Sequence, residues 1–185
     1  MRKNFGQKTW LYPMPVLIVA AYDENGNANA MNAAWGGIYD TNKIMICLDE
    51  SHKTTKNIKQ TKAFTVSIAD AAHVKECDYL GLASGNKVPN KLKKAGFNIE
   101  KSSFVNAPII KELPMTLECS LIKFDDNGNI IADIVNVSAD EKVLAANGNI
   151  DPEKLQAISY DSVNHNYLKI SGIAGKAFSD GKAIL

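Results

Sequence analysis

The chain has 185 residues, of which 45% are hydrophobic and 22% charged, and this suits one domain with a full hydrophobic core. Its 21 basic and 20 acidic residues leave a net charge of +1, so nothing indicates the basic stripe that binds nucleic acid or an anionic membrane. We therefore predict a single domain over residues 1–185 that binds neither.

The N-terminal region has the outline of a signal peptide, with Arg2 and Lys3 ahead of an apolar run over residues 14–21. The run is too short to span a bilayer, contains proline, and continues directly into turn residues 23–27. We therefore interpret it as part of the fold and predict neither a signal peptide nor a membrane segment.

The number and surroundings of the cysteines indicate the redox state of the compartment in which the protein resides. Cys47, Cys77 and Cys119 are odd in number, form no CxxC pair and lie in apolar or helical surroundings. This is typical of buried thiols in a reducing compartment rather than of a disulfide framework. We predict a cytoplasmic protein.

Short apolar strands follow one another along the chain, and two pairs of them are joined by turns rich in Asp, Asn and Gly, at residues 23–27 and 125–129. Each such turn predicts a hairpin. Because the strands come in hairpins, without regular β-α-β alternation, we predict an antiparallel barrel rather than a doubly wound parallel sheet. The predicted strands are residues 16–22, 28–37, 43–48, 63–68, 115–121 and 130–137.

Short helices are predicted as insertions between these strands. Ser51 and Asp70 are placed to cap the first two helices, and Gly85 and Gly96 to end the second and third. The predicted helices are residues 53–61, 72–82 and 90–95.

The common catalytic motifs are missing from the sequence. It has no HExxH, no Cys/His cluster, no GxGxxG after a strand, no P-loop and no GxSxG elbow. His52, His73 and His165 lie far apart, so we predict no metal site and interpret each as a surface or structural histidine.

The stretch ANAMNAAWGG over residues 28–37 combines small and amide side chains. Ala30, Ala33 and Ala34 would let a planar ligand approach the backbone, and Asn29 and Asn32 each offer a donor and an acceptor. Amides and exposed peptide groups suit the polar edge of a pyrimidine-like ring.

Residues 51–55, SHKTT, place hydroxyls, a cation and free backbone N–H groups at the start of a predicted helix. The helix dipole favours an anion such as phosphate there. From this segment alone, the ordinary interpretation, with Ser51 as an N-cap and Lys53 as a solvated charge, is favoured over a phosphate site.

Four motifs in order, together with a closing strand, make the chain resemble the flavoredoxin branch of the flavin reductase-like, FMN-binding split-barrel family. The resemblance runs over nearly the whole chain. The motifs are Pro13-x-Pro15, the run from Asn29 to Trp35, Ser51-His52-Lys53-Thr54-Thr55 leading to Phe64-x-Val66, and Asp78-Tyr79-x-Gly81-x-x-Ser84-Gly85, with the closing strand at residues 167–172.

The resemblance implies a mainly β, antiparallel Greek-key split β-barrel with short inserted α-helices, assembled as a homodimer that holds FMN near the dimer interface. It also implies three groups of site residues. The isoalloxazine ring and ribityl chain would be flanked by Asn29, Met31, Asn32, Ala33, Ala34 and Trp35, and the phosphate bound by Ser51, His52, Thr54 and Thr55. The flavin or its substrate pocket would be approached by Asp78, Tyr79, Ser84 and Lys87.

Structural alternatives remain for several of these residues. The segment carrying Asp78 and Lys87 is equally a capped helix that ends at Gly85, and Trp35 and the tyrosines 160 and 167 suit either a core or an aromatic interface.

The flavin would supply the redox chemistry, so no catalytic side chain is predicted. The expected function is an NAD(P)H-dependent flavin reductase or flavoredoxin-type oxidoreductase, acting on a small redox substrate or a partner protein. The alternatives are an FMN-carrying electron-transfer protein without NAD(P)H activity and a non-redox ligand-binding barrel.

Overall fold

The computed structural model describes residues 1–185, and β-strands make up most of its regular structure. The strands are β1 (Met14–Pro15), β2 (Leu17–Tyr22), β3 (Ala28–Ala33), β4 (Gly36–Asp40), β5 (Lys43–Cys47), β6 (Ala63–Ile68), β7 (Ile99–Lys101), β8 (Pro108–Ile110), β9 (Met115–Phe124), β10 (Asn129–Ala139), β11 (Ile158–Asp161) and β12 (Asn166–Lys169). The helices are α1 (Lys53–Thr61), α2 (Val74–Leu82), α3 (Lys91–Lys94) and α4 (Pro152–Leu155), with 3₁₀ turns at Ala71–His73, Glu141–Val143 and Asp180–Ile184.

Seven strands form one antiparallel sheet in the order β3-β2-β6-β9-β10-β5-β4, a non-sequential order typical of a Greek key. β3 and β4 lie at its opposite edges, although only Ala34 and Trp35 separate them along the chain. So short a linker can join the two edges only if the sheet curls until they approach each other. Leu17, Ile46 and Phe64 belong to the buried cluster inside the curl. The predicted fold class, a mainly β split barrel, is confirmed.

Both predicted hairpins are present. β2 pairs with β3 and β9 with β10, and the Asp23 and Asp125 carboxylates accept backbone N–H bonds within the two turns. The second hairpin is longer than predicted and carries two bulges, after Ile131 and Ile134. These irregularities let a long two-stranded ribbon bend with the curl of the sheet.

The stretch over residues 28–37 is not the single strand that we predicted. β3 ends at Ala33, and Gly36 opens β4, which crosses to the other edge and pairs with β5. A Cβ added at Gly36 would lie 2.9 Å from the Met45 carbonyl oxygen. The glycine is therefore needed for close backbone approach to β5, a constraint that a local pattern does not reveal.

Two smaller sheets cover the outer face of β2. One has the order β1-β11-β12 and the other pairs β7 with β8; of these strands the sequence indicated only β12. A second buried cluster, which we call the outer cluster, lies under them and contains Ile18 of β2 together with Leu80, Phe97, Ile110 and Ile158. The outer cluster holds α2 and the β11–β12 hairpin against the same side of the barrel.

The helices lie close to the predicted ranges, but the caps differ. Ser51 is not the N-cap of α1, because that position belongs to His52, whose side chain makes no capping bond. Asp70 caps the 3₁₀ turn Ala71–His73, where its carboxylate accepts the His73 backbone N–H at 2.9 Å. α2 then ends at Leu82 as predicted, but its C-cap is Ala83 and not Gly85.

The cysteines form no disulfide. Cys77 and Cys119 are buried as predicted, and burial raises the pKa of each thiol to about 12, whereas Cys47 is half-buried. No three His, Cys, Asp or Glu side chains come together in a way that could hold a metal ion. No helix has both the length and the apolar character needed to cross a bilayer.

Candidate functional site

The free edge of β3 is where most of the predicted site residues lie. β3 pairs only with β2, so one row of its backbone N–H and C=O groups points away from the sheet. The start of α1, the helix α2 and the β11–β12 hairpin pack around this edge and its continuation into β4. Two cavities lie between these elements, which we name the α1 cavity and the tyrosine cavity, and a third, the tryptophan cavity, lies beside β4.

The α1 cavity, of about 240 Å³, lies between β3, the start of α1 and the loop after α2, and Asn29, His52, Lys53, Thr54 and Lys91 are among its lining residues. At the start of α1, the first backbone N–H to reach a helical acceptor is that of residue 56, bonded to the His52 carbonyl at 3.1 Å. The N–H groups of residues 53–55 therefore have no backbone acceptor, and His52 provides no side-chain cap. An uncapped helix N-terminus of this kind attracts an anion.

Two threonine hydroxyls lie at this helix start. The Asn29 side-chain amide donates to Thr54 Oγ1 at 2.6 Å, which ties β3 to α1. Thr55 Oγ1 is buried and has no hydrogen-bond partner. An unpaired buried hydroxyl costs about 1 to 3 kcal/mol, so the first turn of α1 holds a polar group that is left without a partner within the chain.

Lys91 also lines the α1 cavity, although nothing in the sequence indicated it. It is only 3% exposed, and its ammonium donates to the carbonyls of Leu80 and Ala83 at 2.9 and 2.6 Å. Burial lowers the pKa of Lys91 to about 8. An ammonium has three N–H donors, so one remains for a ligand in the α1 cavity. In the sequence, Lys91 stands in the run NKLKK, which is typical of a solvated helix end.

Gly85 brings the loop after α2 against β3. A Cβ added there would overlap the Asn29 side chain, at 2.8 Å from its Cγ. The glycine therefore allows the Asn29 amide to keep the orientation in which it bonds to Thr54.

The tyrosine cavity, of about 370 Å³, is bounded on one side by Asn32, Ala33, Ala34 and Gly81, and on the other by the tyrosines 160 and 167 together with His165 and Asp78. The hydroxyl of tyrosine 167 donates to Asp78 Oδ1 at 2.7 Å, and the Asn32 amide donates to the Cys77 carbonyl at 3.3 Å.

The tryptophan cavity, of about 650 Å³, is the largest and the most apolar of the three. It lies between the N-terminal segment and β4, and Trp10, Trp35, Tyr39 and Cys47 are among its lining residues. Trp35 is 57% exposed, so its ring belongs to the surface and not to the core.

The structure brings most of the predicted site residues to these cavities. Asn29, Met31, Asn32, His52, Thr54 and Ser84 line the α1 cavity; Asn32, Ala33, Ala34 and Asp78 line the tyrosine cavity; Ala34 and Trp35 line the tryptophan cavity.

Four predicted residues line none of the three cavities. Thr55 lies buried at the start of α1, and Tyr79 packs against the outer cluster. Ser51 and Lys87 are exposed, and the Ser51 carbonyl accepts a bond from the Asn86 amide at 2.9 Å.

Comparison with known proteins shows that the fold carrying these cavities occurs in other proteins. The chain is 33% identical to the flavoredoxin of Desulfovibrio vulgaris (Miyazaki F), with a TM-score of 0.94 over 98% of this chain and 100% of that one. It is 27% identical to the flavoredoxin of Methanosarcina acetivorans, with a TM-score of 0.90 over 100% of both chains. A protein of Aquifex aeolicus (strain VF5) is 26% identical in an alignment of 159 residues that covers 79% of each chain.

The family model described as the flavin reductase like domain matches residues 9–154, a span that contains β3, α1, α2 and the α1 cavity. The chain therefore belongs to the family of proteins with a flavin reductase-like domain.

Proposed function

We propose that this chain is an FMN-binding flavoprotein that acts as an oxidoreductase. The observation that carries the proposal is the uncapped α1 N-terminus and the buried Lys91 ammonium on one cavity, with the unpaired Thr55 hydroxyl buried in the first turn of the same helix. All three features lack something that a phosphate supplies, namely an acceptor oxygen with negative charge. The residues present therefore fit the phosphate end of FMN.

At the phosphate end, the N–H groups of residues 53–55 and the hydroxyls of Thr54 and Thr55 would bind the phosphate oxygens. Lys91 would neutralise part of the charge while its carbonyl partners keep the ammonium in place. The His52 side chain, which caps no backbone group, lines the same cavity and is free to contact the phosphate.

At the ring end, the free edge of β3 supports binding of the isoalloxazine. Residues 32–34 combine an amide with two small side chains, so a flat ring can approach the unpaired backbone groups of an edge strand. When bound, FMN supplies the redox chemistry. The chain's own residues bind the cofactor, orient it and shield part of it from water.

NAD(P)H is the proposed electron donor, in line with the flavin reductase-like domain. A second candidate is an electron-transfer flavoprotein without NAD(P)H activity. It is supported by the likeness to two flavoredoxins. The lack of a β-α-β unit does not decide between the two candidates, because a hydride donor can stack on the exposed face of a flavin without a nucleotide-binding domain. A non-redox ligand-binding barrel is the third alternative.

One spectroscopic experiment separates these functions. Purified protein, as isolated and after incubation with FMN, should show the absorption bands of oxidised flavin after unbound flavin is removed. Bleaching on addition of NADH or NADPH without oxygen identifies the reductase. Retained colour without bleaching, but with reduction by dithionite, identifies the electron carrier. A colourless protein that takes up no FMN contradicts the proposal and leaves only the non-redox barrel.

A homodimer is also proposed. Its support is the apolar surface formed by Trp35, Ile38 and Tyr39, whose side chains are all more than half exposed. A second copy that covers this surface would lie beside the tryptophan cavity, next to the end of β3. Sedimentation equilibrium tests the assembly, and a monomer at micromolar concentration contradicts it. The cytoplasmic location stays a prediction from the sequence.

A further inference from the structure

The C-terminal tail, residues 170–185, lies on the outside of the molecule, and every one of its residues is exposed. At least 90% of the surface is exposed in four of its apolar residues, namely Ile173, Phe178, Ile184 and Leu185. The Gly172 backbone N–H donates to Glu153 Oε1 of α4, but from residue 173 onwards all hydrogen bonds of the tail are internal to it. The tail therefore presents large apolar side chains that the rest of its own chain does not cover.

The tail nevertheless has a defined local structure. The Lys176 backbone N–H donates to Asp180 Oδ2 at 2.8 Å, and the Asp180 N–H donates to the Lys176 carbonyl at 3.1 Å. These bonds close a turn that contains Phe178, and the 3₁₀ turn Asp180–Ile184 follows. The likeness to the flavoredoxin of Methanosarcina acetivorans covers 100% of this chain and so includes the tail. Because an ordered segment loses little conformational freedom on binding, such a turn suits docking on a surface.

Phe178 is the tail residue that most lacks surroundings of its own. Its backbone has φ +59, a left-handed conformation that is unfavourable for a bulky residue and persists where neighbouring groups hold it. Its ring is 98% exposed, so no packing within the chain offsets this cost. A partner that buries the ring would supply the missing contacts.

The tryptophan cavity is an apolar surface of the same chain that also lacks a cover. It contains the rings of Trp10, Trp35 and Tyr39, all of them exposed, and its volume of about 650 Å³ is more than a phenylalanine side chain fills. Aromatic rings pack edge-on or offset at centroid distances of about 4.5 to 7 Å, so a phenylalanine ring suits a cavity with this lining.

The tail of the same chain does not cover this cavity. β12, which precedes the tail, lies next but one to β1 in their sheet, and β1 lines the cavity. The tail instead bonds to α4 at Gly172, and none of its residues lines the cavity. In a twofold symmetric pair, two unpartnered surfaces of one chain can cover each other reciprocally. The tail of each copy then lies on the cavity of the other.

The area available is suited to a stable pair. The four exposed side chains of the tail offer about half of the roughly 800 Å² that each partner buries in a stable interface. The surface formed by Trp35, Ile38 and Tyr39 supplies further apolar area beside the same cavity.

We propose that the C-terminal tail of each copy docks on a second copy of this chain, with Phe178 in the tryptophan cavity of that second copy. The docking rests on the proposed homodimer and specifies which segments form it. It also makes the cavity incomplete in a single chain, because the second copy provides the ring that fills it. Both tryptophans of the chain, Trp10 and Trp35, are then covered.

Thiol cross-linking tests which chain the tail lies on. Phe178→Cys places a thiol on the tail, and Cys47, which is half-buried, provides a native thiol in the tryptophan cavity. Cys77 and Cys119 are buried, and burial raises the pKa of both to about 12, so they do not compete. A short bismaleimide reagent should convert Phe178→Cys into a covalent dimer on a denaturing gel. Phe104→Cys, at an exposed position on the loop after β7, is the control and should stay monomeric on the gel.

Two further measurements complete the test. Adding Cys47→Ser to Phe178→Cys should remove the covalent dimer. Phe178→Ser removes two docked rings from each symmetric pair, and at about tenfold for each ring the dimer dissociation constant should rise about 100-fold in sedimentation equilibrium. Phe104→Ser should leave the constant unchanged. Tryptophan emission should shift to longer wavelength in Phe178→Ser, since both tryptophans line the cavity.

The outcomes separate the docking from the homodimer itself. A wild-type dimer whose dissociation constant is the same in Phe178→Ser, or a covalent dimer that persists without Cys47, would overturn the docking and leave the homodimer standing. A link formed within one chain, which leaves a monomer on the gel, would show that the tail folds back on its own cavity and would also overturn it. A wild-type protein that is monomeric at micromolar concentration would contradict both proposals together.

Discussion

The buried lysine of the α1 cavity gives the sharpest test of how this chain recognises a phosphate. Lys91→Met keeps most of the length and apolar contacts of the side chain and removes its charge and its three N–H donors. In wild type the carbonyls of Leu80 and Ala83 hold the ammonium of Lys91 at the wall of the α1 cavity. The start of α1 lines the same cavity. The substitution therefore removes the buried cation of the proposed phosphate site.

The expected size of the effect follows from the surroundings of Lys91. A hydrogen bond to a charged group contributes about 1.5 to 3 kcal/mol, and a side chain only 3% exposed is little screened by water. Lys91→Met should therefore weaken FMN binding about 10- to 100-fold. Riboflavin, which has the same ring and ribityl chain without the phosphate, should bind wild type and variant with the same affinity.

The assay is quenching of flavin fluorescence, titrated with both ligands for each protein. Lys93→Met is the matched control, because Lys93 lies on the same helix, α3, but is exposed. It should leave both affinities unchanged. Equal losses for FMN and riboflavin in Lys91→Met would place Lys91 near the ring instead, and no loss for either would refute its role in phosphate binding.

Four further predictions concern the same region. Thr55→Val removes an unpaired buried hydroxyl, so it should raise the stability of the flavin-free protein by about 1 kcal/mol in urea unfolding while FMN affinity falls about tenfold; a loss of stability would show that the hydroxyl is already paired. Gly85→Ala should push the Asn29 side chain away from Thr54 and weaken FMN binding, whereas unchanged binding would show that the loop simply shifts. Ala33→Leu should block the ring from the edge of β3 and lower the affinities for FMN and riboflavin alike, with a far-ultraviolet circular dichroism spectrum like that of wild type; unchanged affinity would remove Ala33 from the ring site. Finally, because burial holds the pKa of Lys91 near 8 rather than at its ordinary 10.5, the unfolded flavin-free chain binds more protons between these two pH values. Its stability should rise by up to about 3 kcal/mol as the pH rises through this window, and the rise should disappear in Lys91→Met; a flat profile for wild type would contradict the lowered pKa.

Much of the fold could be predicted because its signals are local. The turns at residues 23–27 and 125–129 are held by the carboxylate of their own first residue, and the strands beside them have the expected alternation or apolar character. Helix α1 has the predicted range. One error occurs where a neighbour distant in sequence decides, namely the close approach to Met45 that makes Gly36 open a new strand. The other is a local shift of one residue, because the N-cap of α1 is His52 and not the predicted Ser51.

The candidate site likewise has residues that the sequence could indicate and one, Lys91, that it could not. The sequence could indicate the amides of β3 and the polar start of α1, because residue type and spacing suffice to recognise a strand of small side chains and an anion-attracting helix start. It gave no indication of Lys91, since burial of a lysine depends on which elements cover it.

By itself, then, the amino-acid sequence determined the hairpins, the antiparallel class and the strand on which the proposed cofactor site is built, because turn chemistry and side-chain alternation act between residues close together in the chain. Only the tertiary structure decided which groups meet across long separations, such as Asn29 with Thr54, Tyr167 with Asp78, and Lys91 with the end of α2. These contacts depend on the curl that brings both edges of the sheet together and on the outer cluster that holds α2 and the β11–β12 hairpin against β3. Burial and hydrogen-bond pairing belong to the packed molecule, so no local pattern records them.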